Sequence, residues 1–323
     1  MIRVGPSGPT ARERVHLVAL PLGATRTVNA VLIEGDPLTL VDTGVRTPES
    51  LGALERALAE RGRRIEELEQ IVITHPHHDH FGAAAALAAR SGARVVGDGA
   101  AVTAAFPASF EPNARSRLTY FEEAGAPDEL RRHWRERRGQ FASDADPVAM
   151  ERELVDGDLL RMGDRDWRVV STPGHAASSI SLFQSEARLL IAGDMLIGNA
   201  GASVTLHAMP RPGRWLLDIL DSLARLAELE AEVAYPGHGP LIEDARRVIP
   251  ERRARASQRL DEVGAMLRER PYGGWALSNA IYPPEVGATG LGLSQAIGYL
   301  EALVAQERAR TELRDGVREY RAS

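Results

Sequence analysis

Apolar and polar positions alternate in short runs over the first part of the chain. RVHLVALPL (residues 14–22), TVNAVLIEG (27–35) and LTLVDTG (38–44) are aliphatic and β-branched stretches closed by Gly, Asp or Pro, and each predicts a strand followed by a short turn. TPESLGALERALAERG (47–62) predicts a helix, with Thr47 placed to cap it, Pro48 in its first turn and Gly62 just past its end. LEQIVITH (68–75) reads as a short buried strand, HDHFGAAAALAARSG (78–92) as a helix ending at Gly92, and ARVVGD (93–98) as another strand.

From about residue 106 to 150 the pattern gives way to an arginine-rich, helical segment containing RRHWRERR (131–138). Such a run is either a solvated helix face or a lid, because long insertions between core elements often cover binding sites. Strands return in WRVVSTPGH (167–175), SISLFQ (179–184) and ARLLIAGDML (187–196). The amphipathic WLLDILDSLARLAELE (215–230) and AEVAYPGHGPLI (231–242) follow. Two similar series of strands and helices predict an α/β fold of the αββα type, two sheets face to face with helices outside. Residues 1–244 would form this sandwich, and 251–323, with two helix-like stretches, a small helical appendage.

The chain has 323 residues, 44% of them hydrophobic, enough for one large core or one core plus an appendage. No apolar run approaches the ~18 residues of a membrane span, and MIRVGPSGPTARER lacks the apolar stretch of a signal peptide, so a cytoplasmic protein is expected. With no cysteine, disulfides, thiolate metal sites and a cysteine nucleophile are excluded, and any metal must be held by His, Asp or Glu. The net charge of −6 exerts no overall pull on nucleic acid or anionic membrane. From Ala245 onward 13 Arg face 10 acidic residues; there is no lysine anywhere, a habit that fits genome composition better than function.

The chemistry concentrates at one strand end. HPHHDH (75–80) crowds four histidines and an aspartate into six residues. His75 and His77, two apart just beyond a strand, can project to one side, while Asp79 and His80 follow at the start of a helix, so each pair can serve its own metal. Three later strand ends offer further ligands: His175 in STPGHAAS, Asp194 in IAGDML and His238 in YPGHGP. Gly174, Gly193, Gly237 and Gly239 flank them and let the backbone turn sharply. His16 and His133 lie in an ordinary strand and a charged helix. His207, in GASVTLHAMPRPG, lies shortly after Asp194 on a loop that could face a substrate.

These residues resemble the metallo-β-lactamase superfamily, whose pattern is HxHxDH, then His, Asp and His on later loops, with an early Asp in a VDTG-type turn. All of it occurs in family order over about residues 15–244: Asp42, His75, His77, Asp79, His80, His175, Asp194 and His238. The resemblance implies that His75, His77 and His175 hold a first metal and Asp79, His80 and His238 a second, with Asp194 bridging. Zinc suits such imidazole and carboxylate donors at ~2.0–2.2 Å, and Mn²⁺ or Fe²⁺ accept the same set. Two ions roughly 3.5–4 Å apart would share a hydroxide, since metal-bound water has a pKa of about 7. Asp42 is expected to support the site through hydrogen bonds rather than ligate, and His78 to point elsewhere.

The superfamily spans lactonases, thioesterases, glyoxalase II enzymes, β-lactamases, nucleases and redox enzymes, so fold alone does not choose among them. Two-metal β-lactamases typically have a Cys in the second site or lack the bridging carboxylate, which speaks against efficient β-lactam hydrolysis here. Glyoxalase II usually holds glutathione with basic residues including lysine, and a flavodoxin-linked relative would need a flavin domain. The C-terminal segment resembles the winged-helix appendage of the LACTB2-like branch, some of whose members cut single-stranded RNA. The leading expectation is a two-zinc hydrolase of an ester-type bond: lactone, carboxylic ester or thioester. The bridging hydroxide would attack the carbonyl, with Asp79 or Asp194 shuttling a proton. Phe110, Tyr120, Phe121 and Trp134 of the insertion would either wall an acyl pocket, Tyr120 and His207 touching substrate, or belong to ordinary core. The alternatives are a phosphodiesterase acting on single-stranded RNA and a non-catalytic nucleic-acid-binding regulator; the intact ligand set weighs against the latter. A small-molecule substrate is expected and a membrane partner is not, while a homodimer is compatible with the sequence.

Overall fold

Apolar residues on both faces of the same strands demand cover on both sides. In the computed structural model, which describes residues 12–97, 110–198 and 213–323, every position of β2 (Arg26–Ile33) from Val28 to Ile33 is buried. Ala30 and Leu32 pack outward with Leu54, Leu58 and Leu87 of the covering helices, and Val31 and Ile33 pack inward with Trp167, Val169 and Leu182 of a second sheet. Each such fully buried aliphatic side chain contributes roughly 1.5–3 kcal/mol. The expected αββα layering is thus present.

The first sheet runs β1 (Val15–Leu22), β2, β3 (Thr39–Val41), β4 (Gln70–Ile73), β5 (Arg94–Gly97) and β6 (Arg152–Glu153). It is antiparallel as far as β3 and parallel beyond. The second sheet places β7 (Leu159–Met162), β8 (Arg165–Ser171), β9 (Ile180–Gln184), β10 (Leu189–Ile197) and β11 (Val233–His238) in sequence order, with only β10 and β11 parallel.

Helix α1 (Pro48–Ala59) starts as its sequence requires: the Thr47 side chain accepts a hydrogen bond from the Ser50 N–H at 3.3 Å and Pro48 occupies the first turn. The 78–92 run departs from expectation by forming two helices, α2 (His78–Phe81) and α3 (Ala84–Ser91), the latter ending at left-handed Gly92. The break falls where Gly82 lets another segment approach: a Cβ there would stand 2.7 Å from the Asp144 carbonyl, and the Asp146 N–H donates to the Gly82 carbonyl at 3.2 Å.

The insertion forms α4 (Phe110–Glu123) and α5 (Asp128–Ser143). Its aromatics take the core alternative. Phe121 is fully buried with Trp134 edge-on at 5.9 Å, and Tyr120 meets Trp215 edge-on at 5.3 Å; the Phe110 side chain lies outside the described residues.

Beyond α6 (Trp215–Glu228), which covers the second sheet, come α7 (Ala245–Glu269), β12 (Tyr272–Gly273), α8 (Gly274–Ile281), α9 (Pro284–Gly287), α10 (Gly290–Ala305), β13 (Ala309–Arg314) and β14 (Val317–Ala322). The C-terminal helices are as expected; a small sheet in the order β12-β14-β13 is added to them. One apolar cluster unites Phe121 of the insertion, Trp215 and Leu223 of α6, Leu260 and Val263 of α7, and Leu277 and Leu300 of the later helices. The Trp275 N–H donates to the Ala124 carbonyl at 2.9 Å, and Arg318 pairs with Glu123 at 2.7 Å. Among the described residues no helix is long and apolar enough to cross a membrane.

Candidate metal centre

β4 ends at Ile73 and the chain turns at once into His75, His77 and α2, so four donor side chains leave one strand end within six residues. Asp194 reaches the same place from β10. The pairing of β10 with β11 shifts register on either side of Gly193, whose φ of 50° few other residues adopt, and this irregularity turns the next side chain toward β4. His175 follows left-handed Gly174, and His238 ends β11.

Two groups of donor atoms converge. His77 Nδ1 lies 2.9 Å from Nε2 of both His75 and His175, and His175 Nε2 lies 3.2 Å from Asp194 Oδ2. Beside them, His238 Nε2 is 3.5 Å from Asp79 Oδ2 and from Asp194 Oδ2, and His80 Nε2 is 3.3 Å from Asp194 Oδ1. Within each group the donor atoms lie within 4.8 Å of one another. Asp194 faces both.

The partners behind these rings fix which nitrogen faces inward. Asp42, held at a φ of 57°, accepts from the Thr74 N–H at 2.9 Å through Oδ1. Its Oδ2 accepts from the Thr74 hydroxyl at 2.8 Å and from His80 Nδ1–H at 2.7 Å. With its one proton committed to Asp42, the Thr74 hydroxyl is left to accept from His75 Nδ1–H at 3.0 Å. His238 Nδ1–H donates to the Thr27 carbonyl at 2.7 Å. In all three rings Nε2 is thereby left as the inward-facing donor atom. Asp42, His75 and His80 also form a compact triplet, but both Asp42 oxygens are already spent on hydrogen bonds, so Asp42 supports the site rather than competing for an ion.

The electrostatics call for a cation. Burial and then the neighbouring His80 hold the His75 imidazole well below its ordinary pKa. Burial opposes ionisation of Asp194, yet His80, His175 and His238 hold it well below the usual carboxylate range; Asp79 is held low against burial by His78, His238 and His80. Burial pushes His238 down, but Asp194 and Asp79 outweigh it and carry it up to about 10. Burial likewise pushes His80 down, yet Asp194 and Asp42 hold it well above the ordinary imidazole range. Among the described residues, His80 Nε2 and Asp194 Oδ1 are buried without a hydrogen-bond partner. The carboxylates thus draw in positive charge as protons, and a divalent ion that displaced those protons would meet imidazole nitrogens and carboxylates, a donor set that fits it.

The structure thus brings together all seven donor residues read from the sequence and puts Asp42 behind them. His78 is half-buried beside Asp79, with Nδ1 3.6 Å from Asp79 Oδ1, and does not join either donor group. Tyr120 sits against Trp215 rather than among the donors, and His207 lies outside the described residues. Sequence reasoning missed Thr74, Thr27 and Asn29. Asn29 Nδ2 donates to the Pro236 and Gly239 carbonyls at 2.9 and 2.8 Å, pinning the turn that presents His238. An asparagine inside the otherwise apolar run from Val28 to Ile33 was the available signal.

Gly237 closes the site. A Cβ there would lie 2.0 Å from Asp194 Oδ1 and 3.0 Å from His80 Cε1. Gly237→Ala is expected to displace Asp194 and lower metal affinity about 10–100-fold, the range for disturbed support of a ligand. Titration with a competing chelator measures this, and wild-type affinity would show that the carboxylate tolerates the crowding.

Residues 23–238 match the metallo-beta-lactamase superfamily. The chain belongs to that superfamily. A similar protein is the probable metallo-hydrolase YqjP of Bacillus subtilis (strain 168), 29% identical over 286 residues, 85% of this chain and 87% of that protein. A hydroxyacylglutathione hydrolase of Methylobacterium nodulans is 28% identical over 222 residues, 68% of this chain and 66% of its own length. The crystal structure of metallo-beta-lactamase family protein TTHA1429 from Thermus thermophilus superposes with a TM-score of 0.82 at 29% identity, covering 96% of this chain and 99% of that one. As a metallo-β-lactamase superfamily hydrolase, the chain carries a His/Asp cluster able to hold metal ions.

Proposed function

We propose that the protein is a two-zinc hydrolase of an ester-type bond in a small molecule, with thioesters the leading class. The observation that carries this reading is the pair of donor groups sharing one carboxylate, Asp194. His75, His77 and His175 serve one ion, Asp79, His80 and His238 the other, and Asp194 both. When bound, two such ions supply Lewis acidity and water that is nucleophilic near neutral pH. The chain's own residues supply position: Thr74 and Asp42 hold His75 and His80, the Thr27 carbonyl holds His238, and Asp79 or Asp194 accepts and returns a proton.

Thioesters are favoured because the similar Methylobacterium protein is named for hydrolysing hydroxyacylglutathione. The absence of lysine, which weighs against glutathione itself, leaves other acyl thioesters. We divide the chain into the sandwich, residues 1–244, and a winged-helix-like unit, 251–323, and place the protein in the cytoplasm, where a homodimer is compatible with this reading. The order of the C-terminal unit, a helix, a strand, three helices and a hairpin, favours a second reading, cleavage of single-stranded RNA. Against it, Arg246, Arg247, Arg259, Arg308, Arg314, Arg318 and Arg321 each face a carboxylate within 4.0 Å, as do Arg131 and Arg135 of the insertion. Arginines so paired make a poor phosphate track.

The test is a parallel panel on zinc-loaded protein: a lactone, a p-nitrophenyl ester, a thioester, bis-p-nitrophenyl phosphate and labelled single-stranded RNA, each with and without chelator. Chelator-sensitive turnover of the carbonyl compounds is expected. Cleavage of RNA with the carbonyl compounds untouched would reverse the order of the two readings.

A further inference from the structure

The small C-terminal sheet has an open side. Its strands run in the order β12-β14-β13, so among the described residues no strand pairs with the far side of β13. The Ser323 N–H donates to the Arg308 carbonyl at 3.2 Å, and the same uninterrupted register sets Arg310, Glu312 and Arg314 opposite Arg321, Glu319 and Val317. Backbone groups alternate sides along a strand, so those of the even-numbered residues face β14. The N–H and C=O groups of Ala309, Thr311 and Leu313 therefore point outward. A free edge is a template for a further strand, and β13 carries none of the proline, lysine or bulge that guards many such edges.

The side chains select the strand that fits. On the face turned to the helices, Ala309 is buried in the apolar cluster with Leu303 of α10, yet Leu313, on the same face, is 54% exposed. On the other face Arg314 and Arg321 each pair with Glu312 and Glu319, whereas Arg310, exposed beside them, has no such partner among the described residues. A second copy of β13, laid antiparallel about a two-fold axis at Thr311, answers both. Arg310 then stands opposite Glu312 of the second copy and Leu313 opposite its Ala309, each twice by symmetry. Keeping every side chain on its own face requires the axis to pass through a residue rather than between two. An axis at Arg310 or Glu312 sets like charges face to face, and one at Leu313 leaves Arg310 opposite the turn glycine, Gly316. The outermost pair, Arg308 with Arg314 of the second copy, is offset because each keeps a carboxylate of its own, Asp261 and Glu312.

We propose that β13 is a dimerisation edge: two copies of the chain pair antiparallel through it, with Thr311 on the two-fold axis, into one sheet of six strands. A single pair of short strands is a small interface, so the dimer is a reversible one.

Sedimentation velocity from low micromolar to several hundred micromolar protein tests this. Wild type is expected to pass from monomer to dimer across that range. Thr311→Pro removes an outward N–H and leaves the β13–β14 ladder whole, and this variant is expected to stay monomeric. Arg310→Glu and Glu312→Arg each set like charges in both symmetry-related pairs, and each is expected to weaken the dimer at least about tenfold. Mixed in equal amounts, these two variants meet with opposite charges at both pairs, so a heterodimer is expected to return; that recovery also shows that both hairpins are folded. A wild type that stays monomeric throughout would overturn the proposal, as would a dimer indifferent to all three substitutions. Single-stranded RNA bound by a monomeric wild type and lost in Arg310→Glu would overturn it as well, and give the edge to nucleic acid.

Discussion

An Asp194→Ala protein is expected to lose at least about a hundredfold in chelator-sensitive turnover, at or beyond the upper end of what loss of an outer partner costs, and to bind its metal ions more weakly at both positions. The expectation follows from where the carboxylate sits. Oδ2 is 3.2 Å from His175 Nε2 and 3.5 Å from His238 Nε2, and Oδ1 is 3.3 Å from His80 Nε2, so one side chain contributes charge to both donor groups. Removing a ligand from one group alone, as in His175→Ala, is expected to weaken one ion more than the other. Metal content after dialysis, with turnover on the same samples, separates the cases. Two retained equivalents and near-wild-type turnover in Asp194→Ala would mean that the groups act independently and the sharing of Asp194 is incidental.

Loss of Asp42 is expected to act on stability and function together. Its carboxylate receives three buried donors, the Thr74 N–H, the Thr74 hydroxyl and His80 Nδ1–H, at 2.7–2.9 Å. Asp42→Ala leaves all three unsatisfied and places alanine at a φ of 57°, a backbone conformation that aspartate and asparagine tolerate better. Breaking one buried charged pair alone costs on the order of 3–5 kcal/mol, so Asp42→Ala should unfold at clearly lower denaturant. Asp42→Asn keeps the backbone tolerance and one carbonyl oxygen but turns an N–H₂ toward groups that already donate. It should be milder in stability while still losing about 10–100-fold in metal affinity or activity. Urea titrations with chelator competition measure both quantities. An Asp42→Ala protein with wild-type midpoint and wild-type zinc affinity would show that Thr74 and the backbone hold His75 and His80 unaided.

The donor residues were legible because their signal is local. His75, His77, Asp79 and His80 sit within six residues, and His175, Asp194 and His238 each follow a strand and adjoin glycine. Thr47 and Gly92 were legible as helix ends for the same reason. What escaped depends on residues far apart in sequence. The carbonyl of Thr27 accepts a hydrogen bond from His238, and Asn29 fastens the turn after β11; the asparagine stands out among its apolar neighbours, but nothing near either residue names its partner. The break between α2 and α3 was hidden because it answers to Asp144, more than sixty residues on. The C-terminal hairpin had a readable turn, Asp315-Gly316 with both φ values positive, but half of each of β13 and β14 is Arg or Glu, and the positions between those of β13 are Ala309, Thr311 and an exposed Leu313, so neither strand announces a broad apolar face. Trp134 and Tyr120 fit either a pocket wall or, more readily, an ordinary core from sequence, and their partners, Phe121 and Trp215, place them in the core.

The apolar cluster joining α4, α6, α7, α8 and α10 bears on how this architecture can be inherited. Exchanging residues 245–323 for the counterpart from a relative would set foreign side chains against Phe121, Trp215 and Leu223, and would strand Glu123 and the Ala124 carbonyl without Arg318 and the Trp275 N–H. A working chimaera has to carry the insertion and the outer face of α6 along with the tail. The unit of recombination is a block of segments distant in sequence, and a crossover placed at the visible seam after residue 244 cuts through the interior of the protein.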